Sequence, residues 1–313
     1  MHPQQDGMIL VAGLTPAWQQ TICLGELQVG QVNRARTTHW CASGKVVNVG
    51  LALHFLGGPS RTLTPVGGAS GDEISTDLAA LGASARWIRT AASTRVCTTI
   101  IDETAKVITE LVENAGPLEA GEVANFIQAY GEEAAAAAMV VLTGSLPQRV
   151  SKELFCQLLR HTKSPAILDI RGEELLAALP QRPLLVKPNR EELEHSLGRK
   201  LASDQALLEG MHELNERGAQ WVLVTQGAGP VWLTSSADVF RFHPPKVQVV
   251  NSTGCGDCLT AGVAWSLRNG CDMIRAVQFG LAAAAVNAES LLPCRFDASR
   301  VAERAGAITI EQK

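Results

Sequence analysis

The sequence predicts an α/β fold in which helices cover both faces of a mainly parallel sheet. Short apolar segments of strand length alternate with segments of helical periodicity along most of the 313 residues. This alternation is typical of parallel sheets, whose strands are buried on both faces. Two further segments alternate in polarity, which is a β pattern outside that repeat. We therefore expect one large α/β unit with a small additional sheet.

The predicted strands are apolar runs bounded by turn residues. They are Met8–Gly13, Arg61–Val66, Ala137–Thr143, Ala166–Ile170, Leu184–Lys187, Trp221–Thr225, Pro230–Leu233 and the strand-like Val247–Val250. The predicted helices are Lys45–Leu56, Asp72–Leu81, Glu119–Glu133, Lys152–His161, Glu173–Leu179, Arg190–Leu197, Asp204–Arg217 and Cys258–Leu267. The alanine-rich patch Ala134–Ala138 is interpreted as a helix end that runs into a buried strand.

The two additional β segments lie at about residues 15–43 and 92–114. We expect them to pair into one small sheet that forms a lid over a cleft, because lids exclude water from reacting phosphates. The alternative is that they decorate the edge of the main sheet.

Composition excludes several classes of protein. The apolar content of 46% supports a substantial core, and the net charge of −4 comes without a basic stripe, so nucleic acid is not an expected partner. No apolar run approaches the roughly 18 residues of a membrane span. The eight cysteines are irregularly spaced, which favours a reduced, cytoplasmic protein over a disulfide framework, and no Cys/His cluster has zinc spacing.

The most specific motif is Asn251-Ser252-Thr253-Gly254-Cys255-Gly256-Asp257, at a predicted strand-to-helix turn. Its glycines let backbone N–H groups converge, and a helix start adds free N–H groups and a partial positive charge. Asp257 is then a candidate base that takes the proton of a hydroxyl attacking a phosphate, while the N–H groups of residues 254–257 face the transferred group. The alternative is a carboxylate that serves only the helix dipole.

A second motif, Lys187-Pro188-Asn189-Arg190-Glu191-Glu192-Leu193, follows a predicted strand and starts a helix. Open α/β sheets bind ligands at the carboxyl ends of their strands. Asn189 and Glu192 have the spacing of a capping box. The same pair also suits the arrangement of waters around Mg²⁺ at a triphosphate, so both interpretations stay open.

Two shorter motifs are compatible with phosphate or nucleotide contacts. Thr225-Gln226-Gly227-Ala228-Gly229 ends a predicted strand, and its glycines permit a tight turn beneath a nucleotide. Gly44 and Lys45 precede or open a predicted helix, where an anion can bind, although a solvated lysine is the alternative. This turn is not a Walker A loop, because the spaced first glycine and the Ser/Thr after the lysine are missing.

Cys255 and Cys258 form a Cys-x-x-Cys pair at a helix start, a position that lowers thiol pKa values. A thioredoxin-type domain would carry such a pair after its first strand, whereas here it follows most of the chain. We therefore do not expect a redox enzyme, and oxidation sensitivity of these thiols is a separate hypothesis.

Taken in order, these motifs resemble those of the ribokinase-like sugar kinases, the phosphofructokinase-B family. The resemblance covers nearly the whole chain, and its most specific part is the run from Asn251 to Gly262. Within the family the chain looks most like the branch that acts on phosphorylated ketohexoses, the 1-phosphofructokinases and tagatose-6-phosphate kinases. The other segments that carry the resemblance are Leu14–Ala17, Gln31–Arg34, Thr94-Arg95, Thr109–Leu111, Gly116-Pro117, Thr143–Pro147 and Lys187–Leu193.

The resemblance implies a three-layer αβα core over residues 1–313 and ATP-dependent, Mg²⁺-requiring phosphorylation of a sugar or sugar phosphate. It implies Asp257 as the catalytic base and an anion hole at Gly254, Cys255 and Gly256. It implies sugar-binding residues, with Lys45 and Arg95 at a substrate phosphate: Gln19, Gly44, Lys45, Asn48, Arg95 and Ser145. It implies nucleotide-binding residues, with Asn189 and Glu192 holding the metal through water: Lys187, Asn189, Glu192, Thr225, Gly227, Gly229 and Asn287. Lids in relatives often pair two subunits, so a homodimer through the lid is expected.

The chain departs from the family pattern at three places. The usual Asp that holds sugar hydroxyls is replaced by Gln19, with the large ring of Trp18 beside it. The usual Gly-Gly-Lys-Gly turn is Ser43-Gly44-Lys45-Val46, and valine resists positive φ, so a different backbone path is expected there. In the late motif, Asn251 replaces an Asp and Cys255 an Ala.

These observations predict a carbohydrate kinase whose acceptor is a phosphorylated ketohexose. One alternative is a kinase for a non-phosphorylated sugar or nucleoside, which Gln19 and Val46 leave open. An alternative of another class is a catalytically poor, sugar-binding sensor, which the retention of Asp257 disfavours.

Overall fold

The computed structural model describes residues 7–313. Its strands in chain order are β1 (Met8–Ala12), β2 (Ala17–Leu24), β3 (Thr37–Ser43), β4 (Ser60–Val66), β5 (Ala85–Arg89), β6 (Arg95–Asp102), β7 (Val107–Val112), β8 (Ala137–Thr143), β9 (Ala166–Asp169), β10 (Leu185–Val186), β11 (Trp221–Val224), β12 (Val231–Thr234), β13 (Val239–His243) and β14 (Thr309–Gln312). Its helices are α1 (Lys45–Phe55), α2 (Gly68–Leu81), α3 (Ala120–Ala134), α4 (Leu154–Arg160), α5 (Gly172–Ala178), α6 (Arg190–Leu197), α7 (Asp204–Glu216), α8 (Cys255–Arg268), α9 (Met273–Ala288) and α10 (Ser299–Ala305).

Ten strands form one sheet in the order β14-β13-β12-β11-β10-β9-β8-β1-β4-β5. The strands from β11 to β5 are parallel, and β12, β13 and β14 add an antiparallel end. Helices α1, α2 and α8 to α10 pack on one face, and α3 to α7 pack on the other. The predicted mainly parallel sheet between two helical layers is therefore confirmed.

The two additional β segments pair into a second sheet of four strands, in the order β3-β2-β6-β7. Strand β6 lies parallel to β2, although the two are separated by most of the first hundred residues, and β3 and β7 flank them antiparallel. The predicted pairing is confirmed, and this sheet is separate from the main one. That the small sheet closes as a lid over a cleft stays a prediction.

Val247–Val250 is not a strand, which corrects the prediction made from its β-branched residues. The segment between β13 and α8 is irregular, and Val249 and Val250 are exposed. The N–H group of Val250 donates to Ala288 O at the end of α9, so no neighbouring strand takes it up. Strands β5, β13 and β14 were not predicted.

Helix α8 is fixed against α9 by close backbone contact. A Cβ atom at Gly262 would lie 2.7 Å from Gly280 Cα, and one at Gly280 would lie 2.6 Å from Leu259 O. Only glycine permits this approach, so the two helices are locked together and the first turn of α8 has a fixed position. Among residues 7–313, no helix is both long and apolar enough to cross a membrane.

Candidate active site

A cavity of about 540 Å³ opens between the carboxyl ends of the parallel strands, the small sheet and the first turn of α8. This is the edge at which open α/β sheets bind ligands. Most of the predicted site residues line it: Gln19, Gly44, Lys45, Asn48, Arg95, Lys187, Asn189, Glu192, Thr225, Gly227, Gly254, Gly256 and Asp257. Residues drawn from both halves of the chain therefore meet in one place.

The first turn of α8 presents unbonded backbone N–H groups to this cavity. Gly254 precedes the helix with φ +80°, a conformation that favours glycine. Within the described residues, the N–H groups of Gly254, Gly256 and Asp257 have no hydrogen-bond acceptor, whereas the N–H group of Cys255 donates to Ser252 O at 3.2 Å. The turn proposed as an anion hole thus has three free N–H donors among residues 254–257 and not the four expected.

Asp257 is buried in the first turn of α8, beside those donors. Its Oδ2 accepts a hydrogen bond of 2.7 Å from Asn48 Nδ2 on α1. Burial and the negative charge of Asp169 raise the pKa of Asp257 to about 6, although Lys45, the Asn48 hydrogen bond and Lys187 act in the opposite direction. A carboxylate in this range accepts a proton readily near neutral pH.

Asp169, at the end of β9, joins the charged groups of the site. Its Oδ1 lies 3.1 Å from Lys45 Nζ, its Oδ2 lies 3.1 Å from Lys187 Nζ, and Oδ2 also accepts from Thr260 Oγ1 at 3.1 Å. Burial alone would raise the pKa of Asp169, but the two lysines outweigh it and hold the pKa below its ordinary value. Asp169 was not among the predicted site residues, although an acidic residue at the carboxyl end of a predicted parallel strand is a signal for such a position.

Lys45 bridges two carboxylates instead of extending freely into solvent. Its Nζ lies 3.1 Å from Asp169 Oδ1 and 3.1 Å from Glu192 Oε1. Burial opposes its charge, but Asp169, Glu192 and Asp257 raise its pKa above the ordinary value, so the side chain stays protonated. An ammonium group has three donors, which leaves one for a ligand.

The backbone turn before Lys45 requires a positive φ at one residue only. Gly44 alone takes a positive φ, +89°, and a Cβ atom there would lie 2.8 Å from Thr15 O. Val46 lies inside the first turn of α1 and is buried. The positive φ considered for Val46 is therefore not needed.

Asn189 and Glu192 form the predicted capping box at the start of α6. Asn189 Oδ1 accepts from Glu192 N at 2.8 Å, and Glu192 Oε2 accepts from Asn189 N at 2.9 Å. Within residues 7–313, no three acidic, His or Cys side chains converge closely enough to hold a metal directly. Glu192 nevertheless offers hard carboxylate oxygens at the cavity wall, which fits a Mg²⁺ ion held through water.

Gln19 lies on the face of the small sheet that lines the cavity. Its Nε2 donates to Thr99 Oγ1 at 2.9 Å and to Gln20 O at 3.3 Å, while its Oε1 has no partner among the described residues. The amide therefore presents an acceptor, as the usual carboxylate would. Trp18 lies on the opposite face of the strand, where it stacks on Trp40 at 5.9 Å between ring centroids, so its ring does not enter the cavity.

A second cavity of about 550 Å³ adjoins the first and shares Lys45, Arg95 and Glu192 with it. Ser145 lines this second cavity only. The guanidinium of Arg95 donates to Pro16 O at 3.3 Å, to Glu113 O at 3.1 Å and to Thr15 O at 3.1 Å. These bonds fix Arg95 where the small sheet joins the core and leave two of its five donors for a ligand.

Three predicted residues do not line either cavity. Gly229 closes a turn, since its N–H group donates to Gln226 O at 2.9 Å. Asn287 is buried: its Nδ2 donates to Thr253 O at 3.0 Å and its Oδ1 accepts from Cys294 N at 2.6 Å. Asn287 therefore holds the loop before α8 in place and lies outside both cavities, and its predicted contact with a nucleotide stays a prediction. Cys255 contributes no side-chain lining, and its Sγ lies 3.3 Å from Asn287 Nδ2.

The Cys-x-x-Cys pair is not a redox centre in this structure. All eight cysteines are free, and the thiol neighbour of Cys258 is Cys294, at 3.4 Å between sulfur atoms. Burial raises the pKa of Cys255 to about 11, whereas reactive thiols have lowered pKa values.

We expect Asp169→Asn to lower the free energy of unfolding by about 3–5 kcal/mol, because it leaves the buried ammonium of Lys187 without its counter-charge. Urea unfolding at pH 8 measures this loss.

Asp257→Asn is the matched control for that experiment. The pKa of Asp257 is raised in the folded chain, so its ionised form is less favourable there than in the unfolded chain. Removing this charge increases stability above pH 6, and the gain disappears as the pH falls below the ordinary value of 3.8. Equal losses for both variants would contradict the assignment of Asp169 as the counter-charge.

Comparisons with known proteins identify a family and similar folds. The model of the pfkB family of carbohydrate kinases matches residues 15–295. The chain is 28% identical to a 1-phosphofructokinase of Borreliella burgdorferi over 292 residues, which cover 92% of this chain and 94% of the relative.

Two solved structures have the same fold. A possible 1-phosphofructokinase of Thermotoga maritima superimposes with a TM-score of 0.90 at 22% identity, over 98% of this chain and 99% of the other. Phosphofructokinase-2 of Escherichia coli in complex with fructose-6-phosphate gives 0.87 at 23% identity, over 96% of this chain and 99% of the other. With the family model spanning nearly the whole chain, the protein belongs to the pfkB family of carbohydrate kinases and is an ATP-dependent sugar kinase.

Proposed function

We propose that this kinase transfers the γ-phosphate of ATP to a hydroxyl of a phosphorylated ketohexose, with Asp257 as the catalytic base. The observation that carries the proposal is the position of Asp257. Its buried carboxylate lies in the first turn of α8, next to the free N–H groups of Gly254 and Gly256. One group can take a proton while the others stabilise phosphoryl oxygens.

Every bond and proton in the proposed transfer is accounted for by ATP, the acceptor hydroxyl and Asp257. The acceptor oxygen forms a bond to the γ-phosphorus as the bond to the β–γ bridging oxygen breaks, and ADP leaves with that oxygen. The hydroxyl proton passes to Asp257. Its Oδ1 has no hydrogen bond within residues 7–313, whereas Oδ2 is occupied by Asn48, so Oδ1 is the oxygen that takes the proton. The free N–H groups at the start of α8 donate hydrogen bonds to the oxygens of the transferred phosphoryl group.

The donor side of the cleft is the end formed by Lys187, Asn189, Glu192, Thr225 and Gly227. Mg²⁺, when bound through water at Asn189 and Glu192, offsets the negative charge of the ATP phosphates. Gly227 has φ +59° and lies in the turn closed by Gly229, and the space above it is open, which leaves room for a nucleotide against the backbone.

The acceptor side supports a sugar that already carries a phosphate. Gln19 Oε1 is available to accept from a sugar hydroxyl, and Lys45 and Arg95 together keep spare donors at the junction of the two cavities. Arg and Lys are the side chains that bind phosphate most effectively. The relative of Borreliella burgdorferi is named as a 1-phosphofructokinase, which supports a phosphorylated ketohexose.

We predict that Asp257→Asn retains ATP binding and lowers turnover by about 10²–10⁴, the usual effect of losing a general base. Coupled ADP release, measured across a panel of sugars and sugar phosphates, gives the turnover, and calorimetry gives nucleotide affinity. Asp297→Asn, an exposed carboxylate outside the site, is the control and keeps the parent rate. Turnover of Asp257→Asn near the parent rate would refute the proposed base.

Lys45→Ala tests the acceptor class. One charge-assisted hydrogen bond to the substrate phosphate corresponds to about a tenfold to hundredfold loss. We expect the ratio of kcat/KM for the phosphorylated sugar over its unphosphorylated parent to fall by that factor. Disturbance of Asp169 and Glu192 affects both substrates and cancels in the ratio. An unchanged ratio would favour a non-phosphorylated acceptor, and Lys313→Ala controls for loss of a remote charge.

The outer face of the small sheet supports a homodimer. Trp40, Val107 and Leu111 are 44%, 52% and 56% exposed on it, and the stacked ring of Trp18 extends the apolar surface. Exposed apolar patches of this kind mark protein interfaces. We propose that two copies join through this face.

Leu111→Asp is expected to convert the dimer into a monomer, because it buries a charge in the proposed interface. Sedimentation velocity measures the change. Val249→Asp is the matched control, since Val249 is also 56% exposed but lies outside the small sheet, and it leaves the dimer intact. A monomeric parent protein, or a dimer that survives Leu111→Asp, would overturn this interface.

A further inference from the structure

We propose that Ser43 is a positioning residue that fixes the catalytic carboxylate of Asp257 through Asn48. The inference rests on the proposed role of Asp257 as the base. It goes beyond that role because it assigns a function to a second side chain at the cavity wall, Ser43, which acts on Asp257 through Asn48.

The three side chains form one buried chain of hydrogen bonds. Ser43 Oγ donates to Asn48 Oδ1 at 3.0 Å, and Asn48 Nδ2 donates to Asp257 Oδ2 at 2.7 Å. Their exposed fractions are 2%, 3% and 6%, so water does not compete freely for these bonds. Ser43 ends β3, Asn48 lies in α1 and Asp257 in α8, so the chain of bonds spans three elements.

The orientation of the Asn48 amide decides whether both hydrogen bonds, from Ser43 and to Asp257, can form together. An amide can rotate by half a turn and exchange its carbonyl oxygen for its NH₂ group. In the rotated form, Asn48 Oδ1 would face the ionised carboxylate at hydrogen-bond distance, and two acceptors would repel each other. The Ser43 hydroxyl opposes this rotation because it donates to Oδ1 in the observed form.

The consequence for Asp257 is geometric as well as electrostatic. The bond from Asn48 occupies Oδ2 and holds the plane of the carboxylate, so that Oδ1 remains the oxygen for the substrate proton. The same bond stabilises the ionised form, and so lowers the pKa against the effects of burial and Asp169. The other charged groups that act on Asp257 are Lys45 and Lys187, and the neighbouring thiols are Cys255, Cys258 and Cys294. None of them contacts Ser43 through a hydrogen bond within the described residues.

The backbone supports the serine without strain, because Ser43 is the last residue of β3 and pairs with Ala17 of β2. Only the next residue, Gly44, takes a positive φ.

The experiment compares Ser43→Ala and Ser43→Gly with the parent kinase in the pH dependence of kcat and kcat/KM. We expect kcat to fall by about threefold to tenfold, the effect of one hydrogen bond, with little change in the KM for ATP. The acidic limb of the profile moves to higher pH by up to about one unit, because a less stabilised carboxylate has a higher pKa. Ser43→Thr keeps the hydroxyl and restores both values. The two truncations differ in backbone freedom, so a shared shift identifies the hydroxyl as the cause.

Thr234→Val is the matched control. Thr234 is buried, and its Oγ1 donates to Oδ1 of the partly buried Asn215 at 2.7 Å, which is a hydroxyl–amide bond outside the site. Its loss lowers the melting temperature and leaves the pH profile unchanged.

Two results separate the inference from the proposed function. An Asp257→Asn variant that turns over at the parent rate would refute the assignment of Asp257 as the base. An inactive Asp257→Asn variant together with an unmoved acidic limb in both Ser43 truncations would overturn only the role of Ser43. A rise in the acceptor KM at constant kcat would also overturn it, since that result describes direct substrate contact.

Discussion

The site depends on one buried ionic interaction, in which Asp169 lies between the ammonium groups of Lys45 and Lys187. Removing a carboxylate from water is costly, and here two lysines and the hydroxyl of Thr260 offset that cost. Asp169 is also close enough to Asp257 to raise its pKa. The same charge thus holds the two lysines in place and contributes to the raised pKa of Asp257, the proposed base.

The parallel topology explains why these groups meet. Strand β9 lies beside β10 in the main sheet, and their carboxyl ends deliver Asp169 and Lys187 to one edge. Helix α8, held against α9 by the Gly262–Gly280 contact, brings its free N–H groups to the same edge. The small sheet covers this edge with Gln19, whose amide is turned by Thr99 so that an acceptor remains available.

Much of the fold could be predicted from apolar runs and helical periodicity, because buried parallel strands and amphipathic helices leave strong local patterns. Val247–Val250 misled this reasoning, since its β-branched residues have no partner strand and are largely exposed. At the site, the capping box of Asn189 and Glu192 was predictable from their spacing. The contact between Asp169 and Lys45 was not, because it joins residues 124 positions apart. The buried position of Asn287 also depends on tertiary packing that no local pattern records.

The titration of Asp257 is the most direct test of a buried carboxylate beside Asp169, and it requires no knowledge of the acceptor sugar. Carbon-13 NMR of the aspartate carboxyl groups follows each titration, and the signal absent from Asp257→Asn identifies this residue. We expect a midpoint near 6, set by burial and by Asp169. A midpoint near the ordinary value of 3.8 would contradict the proposed role of Asp257, because the carboxylate would then behave as a solvated helix-start residue and not as a buried base.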